Sequence, residues 1–342
     1  MAFMGQIVAD LGGAAMTASV VLGERLGLYR AMADGQPVTA DELAERTGCN
    51  PRLVREWLNA QAASGYLVHA DGSYRLPEEQ GLALAIEDSP VYVAGGAAVL
   101  GSMFLDMEKE VEAMRGDGAI SWGDHHPSLF SGTEKFFRPG YKANLVPAWL
   151  PALDGVVEKL RAGAKVTDVG CGHGASTIIM AEAFPASSFI GYDFHGPSIE
   201  TARERAAEAG VGDRVRFEQV TATGYGERGF DLICFFDCLH DMGDPVGAAT
   251  HARQALAPDG TVLLVEPFAG DQVEDNSTPV GRMYYAASTF LCTPNSLSQE
   301  VGRALGAQAG EAQLRKVFSE AGFSQFRRAT ETPFNLILEA RP

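Results

Sequence analysis

Ala164-Lys165-Val166-Thr167-Asp168-Val169-Gly170-Cys171-Gly172-His173-Gly174 decides the fold. A short apolar run reaches an acid, and glycines then follow at i, i+2 and i+4. Glycine at such positions admits left-handed turns and lets a ligand approach bare backbone. Residues Ala175 to Phe184 read as a helix stopped by Pro185, and its free N–H groups face the same spot. The segment therefore predicts a strand, a glycine turn and a helix N-terminus that together receive a ligand.

Reading outward, Phe189-Ile190-Gly191-Tyr192-Asp193 forms the next strand and ends in an acid. Its distance past the glycines, about 20 residues, is where a βαβ unit needs a carboxylate for ribose hydroxyls. Pro197 to Ala209 is a helix closed by Gly210, with Pro near N1. Further strands run over Val215–Val220, Phe230–Phe236 and Gly260–Glu266. A last helix ends at Gly322, and strands Ser324–Thr330 and Phe334–Glu339 meet at Pro333. Strands alternating with helices at this pitch predict an α/β fold with a parallel, doubly wound sheet.

The Asp-x-Gly-x-Gly-x-Gly run resembles motif I of class I S-adenosylmethionine (SAM)-dependent methyltransferases. The resemblance implies a Rossmann-like seven-stranded sheet with its last strand antiparallel, and SAM as cofactor. Asp168 would then hold the amino end of the methionine moiety, with Gly170, Cys171, Gly172 and Gly174 forming the turn beneath it. Asp193 would hold the ribose and Phe194 would lie on the adenine. Thr221, Ala222, Phe236 and Asp237 complete the cofactor set implied at the strand ends. Thr221 and Thr223 stand where the family usually has an aspartate for the adenine amino group, so that contact needs a hydroxyl or carbonyl instead.

Phe236-Asp237-Cys238-Leu239-His240-Asp241-Met242-Gly243-Asp244 resembles the segment after the fourth strand of phenolic O-methyltransferases, with Met242 in place of a tryptophan. On that match His240 is the general base. An unactivated phenol has a pKa of about 10, and a histidine near neutrality suits removal of its proton. The alternative is a histidine that only packs. Arg138, Tyr141, Glu266, Arg282 and Tyr285 are candidates for the acceptor pocket, the last two within an insertion at about 270–309.

The N-terminal third reads as a mostly helical winged-helix domain. Thr39 caps a helix with Glu42 at N3 and Gly48 at its end, Asn50-Pro51 starts a second, and Asp71-Gly72 turns a hairpin. Leu53, Trp57 and Leu58 look like the second helix's core face. Residues 1–95 hold 6 Lys and Arg against 12 Asp and Glu, a net of −6, and the whole chain stands at −17. A surface of that sign repels phosphate backbones, which argues against nucleic acid as partner. Many small-molecule O-methyltransferases resemble this chain here and use the winged helix to dimerise. The opening helix, Ala9 to Met32, fits such a contact.

The expected domains are 1–95, a helical connector over 96–150, and a SAM domain over 151–342. Five cysteines without a Cys-x-x-Cys pair predict a reducing, cytoplasmic compartment. Trp122-Gly123-Asp124-His125-His126-Pro127 reads as a loop and not a metal site, because adjacent histidines rarely converge on one ion, and no metal is expected elsewhere. The most apolar stretch, Val91 to Leu105, is too short to span a bilayer, so no membrane partner is expected. These features predict a homodimeric methyltransferase with a small-molecule acceptor. Two rivals are a SAM-sensing winged-helix regulator, and a SAM-binding protein that does not methylate.

Overall fold

Local capping chemistry sets the first elements of the computed structural model, which describes residues 2–342. Helix α1 (Ala2–Arg25) and a 3-10 turn at Arg30–Met32 precede α2 (Ala40–Thr47), α3 (Pro51–Ala63) and the strands β1 (Val68–Ala70) and β2 (Ser73–Arg75). Thr39 Oγ1 accepts from Glu42 N at 3.3 Å, and Glu42 Oε2 accepts from Thr39 N at 2.7 Å, a complete capping box. Asn50 Oδ1 caps α3 by accepting from Arg52 N and Leu53 N. Asp71 and Gly72 take φ of +49° and +77°, which suits a tight hairpin turn between β1 and β2. Helix, helix and hairpin form the winged helix expected from sequence.

Three expectations need correction here. The opening helix runs over Ala2–Arg25 rather than Ala9 to Met32, because Gly27 turns left-handed at φ +67° and starts a separate 3-10 turn. Leu53 is 70% exposed; the buried face of α3 is Val54, Trp57, Leu58 and Gln61. Leu53 is one position off the stripe that 3.6-residue periodicity buries. Third, Ala94–Leu105 is as short as expected, but α1, which was not considered as a span, is long and apolar enough by length and composition to cross a membrane.

The chain continues through α4 (Glu78–Leu84), α5 (Ala94–Leu105), α6 (Met107–Arg115), α7 (Ser128–Asn144) and α8 (Val156–Ala162). Two compact units emerge: one through Leu105 plus His126–Gly140, the other Asp106–His125 plus Tyr141–Pro342. Residues 96–150 are thus shared between them. The first unit centres on Leu28, Tyr29, Met32, Leu43, Trp57 and Leu58. Tyr29 Oη donates to Gln61 Oε1 at 2.7 Å there, and Trp57 Nε1 to Ser19 O at 2.9 Å, so neither buried polar tip is orphaned.

The second unit alternates β3 (Lys165–Val169), α9 (Ala175–Ala183), β4 (Ser188–Asp193), α10 (Gly196–Glu208), β5 (Val215–Gln219), β6 (Phe230–Phe236), α11 (Pro245–Ala255) and β7 (Leu256–Pro267). The insertion follows as α12 (Pro279–Ala287), a π-helical turn at Ser288–Cys292 and α13 (Thr293–Leu297). Then come α14 (Gly310–Glu320), β8 (Gln325–Glu331) and β9 (Asn335–Arg341). One seven-stranded sheet has the order β5-β4-β3-β6-β7-β9-β8. All its pairings are parallel except those of β9 with β7 and β8. The last strand is therefore the antiparallel one, as the resemblance implied. β3 and β6 are buried along nearly their whole length, and β7 from Gly260 onward, as strands covered by helices on both faces must be.

Candidate active site

The chain leaves β3 toward β4 on one side and returns to β6 on the other. In such sheets the crevice at the carboxyl ends of these strands receives ligands. The sequence candidates Asp168, the glycines, Asp193, Asp237 and His240 all lie on those ends.

Asp168 is the last residue but one of β3 and is buried. Ser176 Oγ and Thr177 Oγ1, in the first turn of α9, donate to its Oδ2 at 2.6 and 2.7 Å. Its Oδ1 is buried and has no partner. Burial pushes this carboxyl up to about 6, against the pull of the two hydroxyls, with Asp193 adding to the rise. The hydroxyl pair escaped the sequence reading, although Ser-Thr one residue into a helix after a buried acid is a legible signal.

Gly170, Gly172 and Gly174 all adopt left-handed φ, at +76°, +52° and +78°. Their roles differ. A Cβ at Gly170 would meet Cys238 Sγ at 2.7 Å, and one at Gly174 would meet Phe217 Cζ at 2.5 Å, whereas one at Gly172 would meet nothing within 4 Å. Gly170 and Gly174 let the turn pack; only Gly172 presents open backbone. Cys171 is buried, and Gly170 N and Cys171 N both donate to Tyr192 O.

Asp193 Oδ2 accepts from Gly172 N at 2.9 Å and Oδ1 from His195 N at 2.9 Å, so the acid at the end of β4 is tied to the glycine turn. Burial raises its pKa, while those two backbone donors lower it. Phe194 is 42% exposed beside it. Past β5, Thr221 is exposed, Ala222 is half-buried, and Thr221 O accepts from Gly224 N.

Beyond β6, Phe236 is buried and Asp237 holds a left-handed φ of +50°, an unusual conformation for a residue with a side chain. Asp237 Oδ2 accepts from Tyr141 Oη at 2.9 Å and Oδ1 from Asn335 Nδ2 at 2.8 Å. Burial and the nearby Glu266 push the Asp237 carboxyl up to about 8. Tyr141 is itself buried against Phe236, ring centroids 5.4 Å apart. Asn335 was not anticipated; it begins β9, far along the chain.

His240 lies in a 3-10 turn, Leu239–Asp241, with only 3% exposure. Its Nδ1 is 2.5 Å from Glu266 Oε2, while Leu239 N donates to Glu266 Oε1 at 3.0 Å. Its Nε2 is 3.1 Å from Asp241 Oδ1. Burial pulls the imidazole pKa down, but the carboxylates of Asp241 and Glu266 overcome it and hold the value well above the usual range. Glu266, read from sequence as pocket lining, is bonded to His240 and the turn that carries it.

The other pocket candidates scatter. Arg138 belongs to the first unit and pairs with Glu87 at 3.5 Å and Asp88 at 3.9 Å. Arg282 is exposed on α12. Tyr285 lines a polar cavity of about 460 Å³ with Asp271, Asn276, Arg303 and Gln308. In the loop of two histidines, His125 turns inward to 3.4 Å from Asp106, while His126 Nδ1 meets Ser128 Oγ at 2.9 Å.

Residues 160–322 match the methyltransferase domain family and residues 14–85 the Rv2258c-like winged HTH domain family. A 27-O-demethylrifamycin SV methyltransferase of Amycolatopsis mediterranei is 36% identical over 107 residues, 31% of this chain and 39% of that protein. The chain spans less than half the length of the first curated relatives it matches. The acetylserotonin O-methyltransferase of Mus musculus is 28% identical over 97% of this chain and 87% of its own. The crystal structure of human N-acetylserotonin methyltransferase in complex with SAM shares the fold at TM-score 0.69 and 17% identity, covering 99% of this chain and 97% of that one. The chain thus resembles a methyltransferase domain over residues 160–322 and a winged helix-turn-helix domain over residues 14–85.

Proposed function

We propose that the protein moves the methyl group of SAM to a small, aromatic or polyketide-like acceptor by direct displacement. The observation that carries this reading is Asp168 Oδ1, a buried acceptor with no protein partner, on the same turn as the open backbone of Gly172. A buried orphan oxygen is costly unless a ligand completes it. An ammonium group such as the amino end of SAM suits that oxygen in both charge and donor chemistry.

SAM supplies an activated methyl on a sulfonium. Asp168 holds the amino group and Asp193 the ribose hydroxyls, with Phe194 at the adenine. His240 takes the acceptor's proton at Nε2. Glu266 accepts the Nδ1–H, which fixes the tautomer and steadies the imidazolium formed. The Asp241 carboxylate, now beside Nε2, gives way to the acceptor hydroxyl as it binds. Proton removal supplies about 10²–10⁴ in rate, and alignment of the reacting groups the remainder. The relatives' names specify 27-O-demethylrifamycin SV and acetylserotonin, both small molecules, and the acceptor proposed here is of that size.

The protein works as a homodimer in the cytosol. Phe3, Met4, Val8 and Leu11 of α1 are exposed and apolar, a face that a second copy would cover. All five cysteines are free thiols, which suits a reducing compartment. Calorimetry with S-adenosylhomocysteine, followed by labelled SAM and a phenolic library, tests the whole reading. Cofactor binding with acceptor-dependent transfer that falls in His240→Ala supports it; no heat at high micromolar ligand rejects it.

A further inference from the structure

His240, Asp241 and Cys292 bring three metal-ligating atoms together: their Nε2, carboxylate oxygen and Sγ lie within 4.8 Å of one another. His240 and Asp241 come from the turn after β6, Cys292 from the π-helical turn after α12. We propose that these three atoms form a binding site for a thiophilic divalent cation, Zn²⁺ fitting best, whose occupation shuts down the proposed transfer.

Three features support it. The donor set of imidazole, carboxylate and thiolate is one that zinc selects over magnesium or calcium. From the bond lengths of zinc to N, O and S, its ligand atoms sit about 3.3–3.7 Å apart in a tetrahedron; His240 Nε2 and Asp241 Oδ1 are already at 3.1 Å. Last, the outer shell exists: Glu266 Oε2 holds His240 Nδ1, and Leu239 N holds the other Glu266 oxygen. Zinc-bound histidines nearly always show this carboxylate behind the ring, which turns Nε2 toward the metal.

Binding balances simply. Cys292 gives up its thiol proton to solvent, His240 binds as the neutral ring through Nε2, and Asp241 binds as carboxylate. Three protein ligands leave the fourth tetrahedral position to a water. Since the metal uses the Nε2 lone pair, a loaded enzyme has no base for the acceptor proton. That last step rests on the proposed function; the binding itself does not.

The test is therefore spectroscopic first. Full-length protein, reduced and stripped with chelator, is titrated with Co²⁺, a zinc surrogate whose thiolate bond absorbs strongly. One equivalent per chain with thiolate-to-cobalt absorption, displaced by Zn²⁺ and absent in Cys292→Ser, is the expected result. Glu266→Gln should bind 10–100-fold more weakly, about the usual loss when an outer-shell carboxylate is removed. No thiolate band, or a band that persists in Cys292→Ser, overturns the proposal. A thermal melt like wild type shows that Cys292→Ser is folded. If methyl transfer is found, the ratio of rates with and without Zn²⁺ in each variant reads the inhibition. Equal ratios in wild type and Cys292→Ser reject inhibition through this site. If no transfer is found at all, the cobalt spectrum still decides the metal site.

Discussion

Glu266 Oε2 stands 2.5 Å from His240 Nδ1, and both residues are almost fully buried. The pair joins the turn after β6 to the end of β7, strands that are neighbours in the sheet. A carboxylate there does two things at once: it fixes which ring nitrogen faces outward, and it favours the charged ring.

That pairing predicts a distinctive pH profile. With His240 held well above its usual pKa, the neutral base becomes abundant only on the alkaline side, so kcat should climb with pH beyond 6.5. Glu266→Gln removes one carboxylate, so the rise should move to lower pH while the plateau rate falls. His240→Ala should lose about 10²–10⁴ in kcat with S-adenosylhomocysteine affinity kept. Stability follows the opposite course. A raised histidine pKa contributes stability at acid pH that disappears as pH rises through the folded value. A pH–rate series on the three proteins checks this, and a flat wild-type profile would contradict the base role.

Asp168 predicts opposed effects on binding and stability. Its carboxyl, pushed up to about 6, loses its charge as pH falls through 6, and affinity for the cationic amino end of SAM should fall with it. The fold itself gains, because a carboxyl raised above its unfolded value of 3.8 stabilises most when protonated, and that gain is lost as pH rises through about 6. In Asp168→Asn the amide oxygen still accepts from Ser176 and Thr177 without a buried charge. The variant should melt higher at pH 8, by up to about 3 kcal/mol if the whole shift is recovered, and bind S-adenosylhomocysteine at least tenfold more weakly. Melting curves and calorimetry at pH 5.5 and 8 separate the two.

Much of this was legible beforehand because it depends on local chemistry. The capping box at Thr39 and Glu42, the left-handed glycines at 170, 172 and 174, and the acid at Asp193 are short-range features whose physics needs only neighbours in sequence. The alternation of strands and helices was legible from the spacing of apolar runs, but the order of the seven strands was not, because pairing joins segments far apart in the chain. What sequence could not give was convergence across long separations. Asn335 meets Asp237 from 98 residues away, Glu266 meets His240 from 26, and Cys292 approaches both His240 and Asp241. Arg138 and Tyr141 were both candidates for the acceptor pocket, yet they fall into different compact units. Leu53 failed for a simpler reason: one residue along a helix rotates a side chain by about 100°.

The glycine turn allows a test that separates packing from ligand space. Gly174→Ala puts a Cβ 2.5 Å from Phe217 at φ +78°, and Gly172→Ala puts one into open space at φ +52°. Both carry a left-handed cost of about 1–2 kcal/mol. Gly174→Ala adds a clash with a buried ring, so its total loss should exceed 2 kcal/mol, with cofactor binding lost alongside the fold. Gly172→Ala should stay folded and lose S-adenosylhomocysteine affinity about tenfold or more. Equal melting temperatures for the two would show that the turn does not discriminate them.

Helix α1 carries the last prediction. Phe3, Met4, Val8 and Leu11 are each more than 60% exposed. Positions 4, 8 and 11 share one helical face. Farther along, α1 packs on α5 and α3 of its own unit, so its later turns are held while the first turns present that face to solvent. Burying four such side chains against a second copy removes several hundred Å² of apolar surface, at about 25 cal/mol per Å², a favourable contribution set against the ordering costs of association. Light scattering should give twice the chain mass for wild type and one chain mass for the double variant Val8→Glu, Leu11→Glu, with the melting transition of the methyltransferase unit unchanged. The same helix has the length to cross a bilayer, which makes sedimentation with vesicles the discriminating control. Wild type that remains in the supernatant as a dimer assigns the apolar face to a second copy. Wild type that pellets with vesicles, and is released by the two glutamates, assigns it to lipid and removes the dimer from the account.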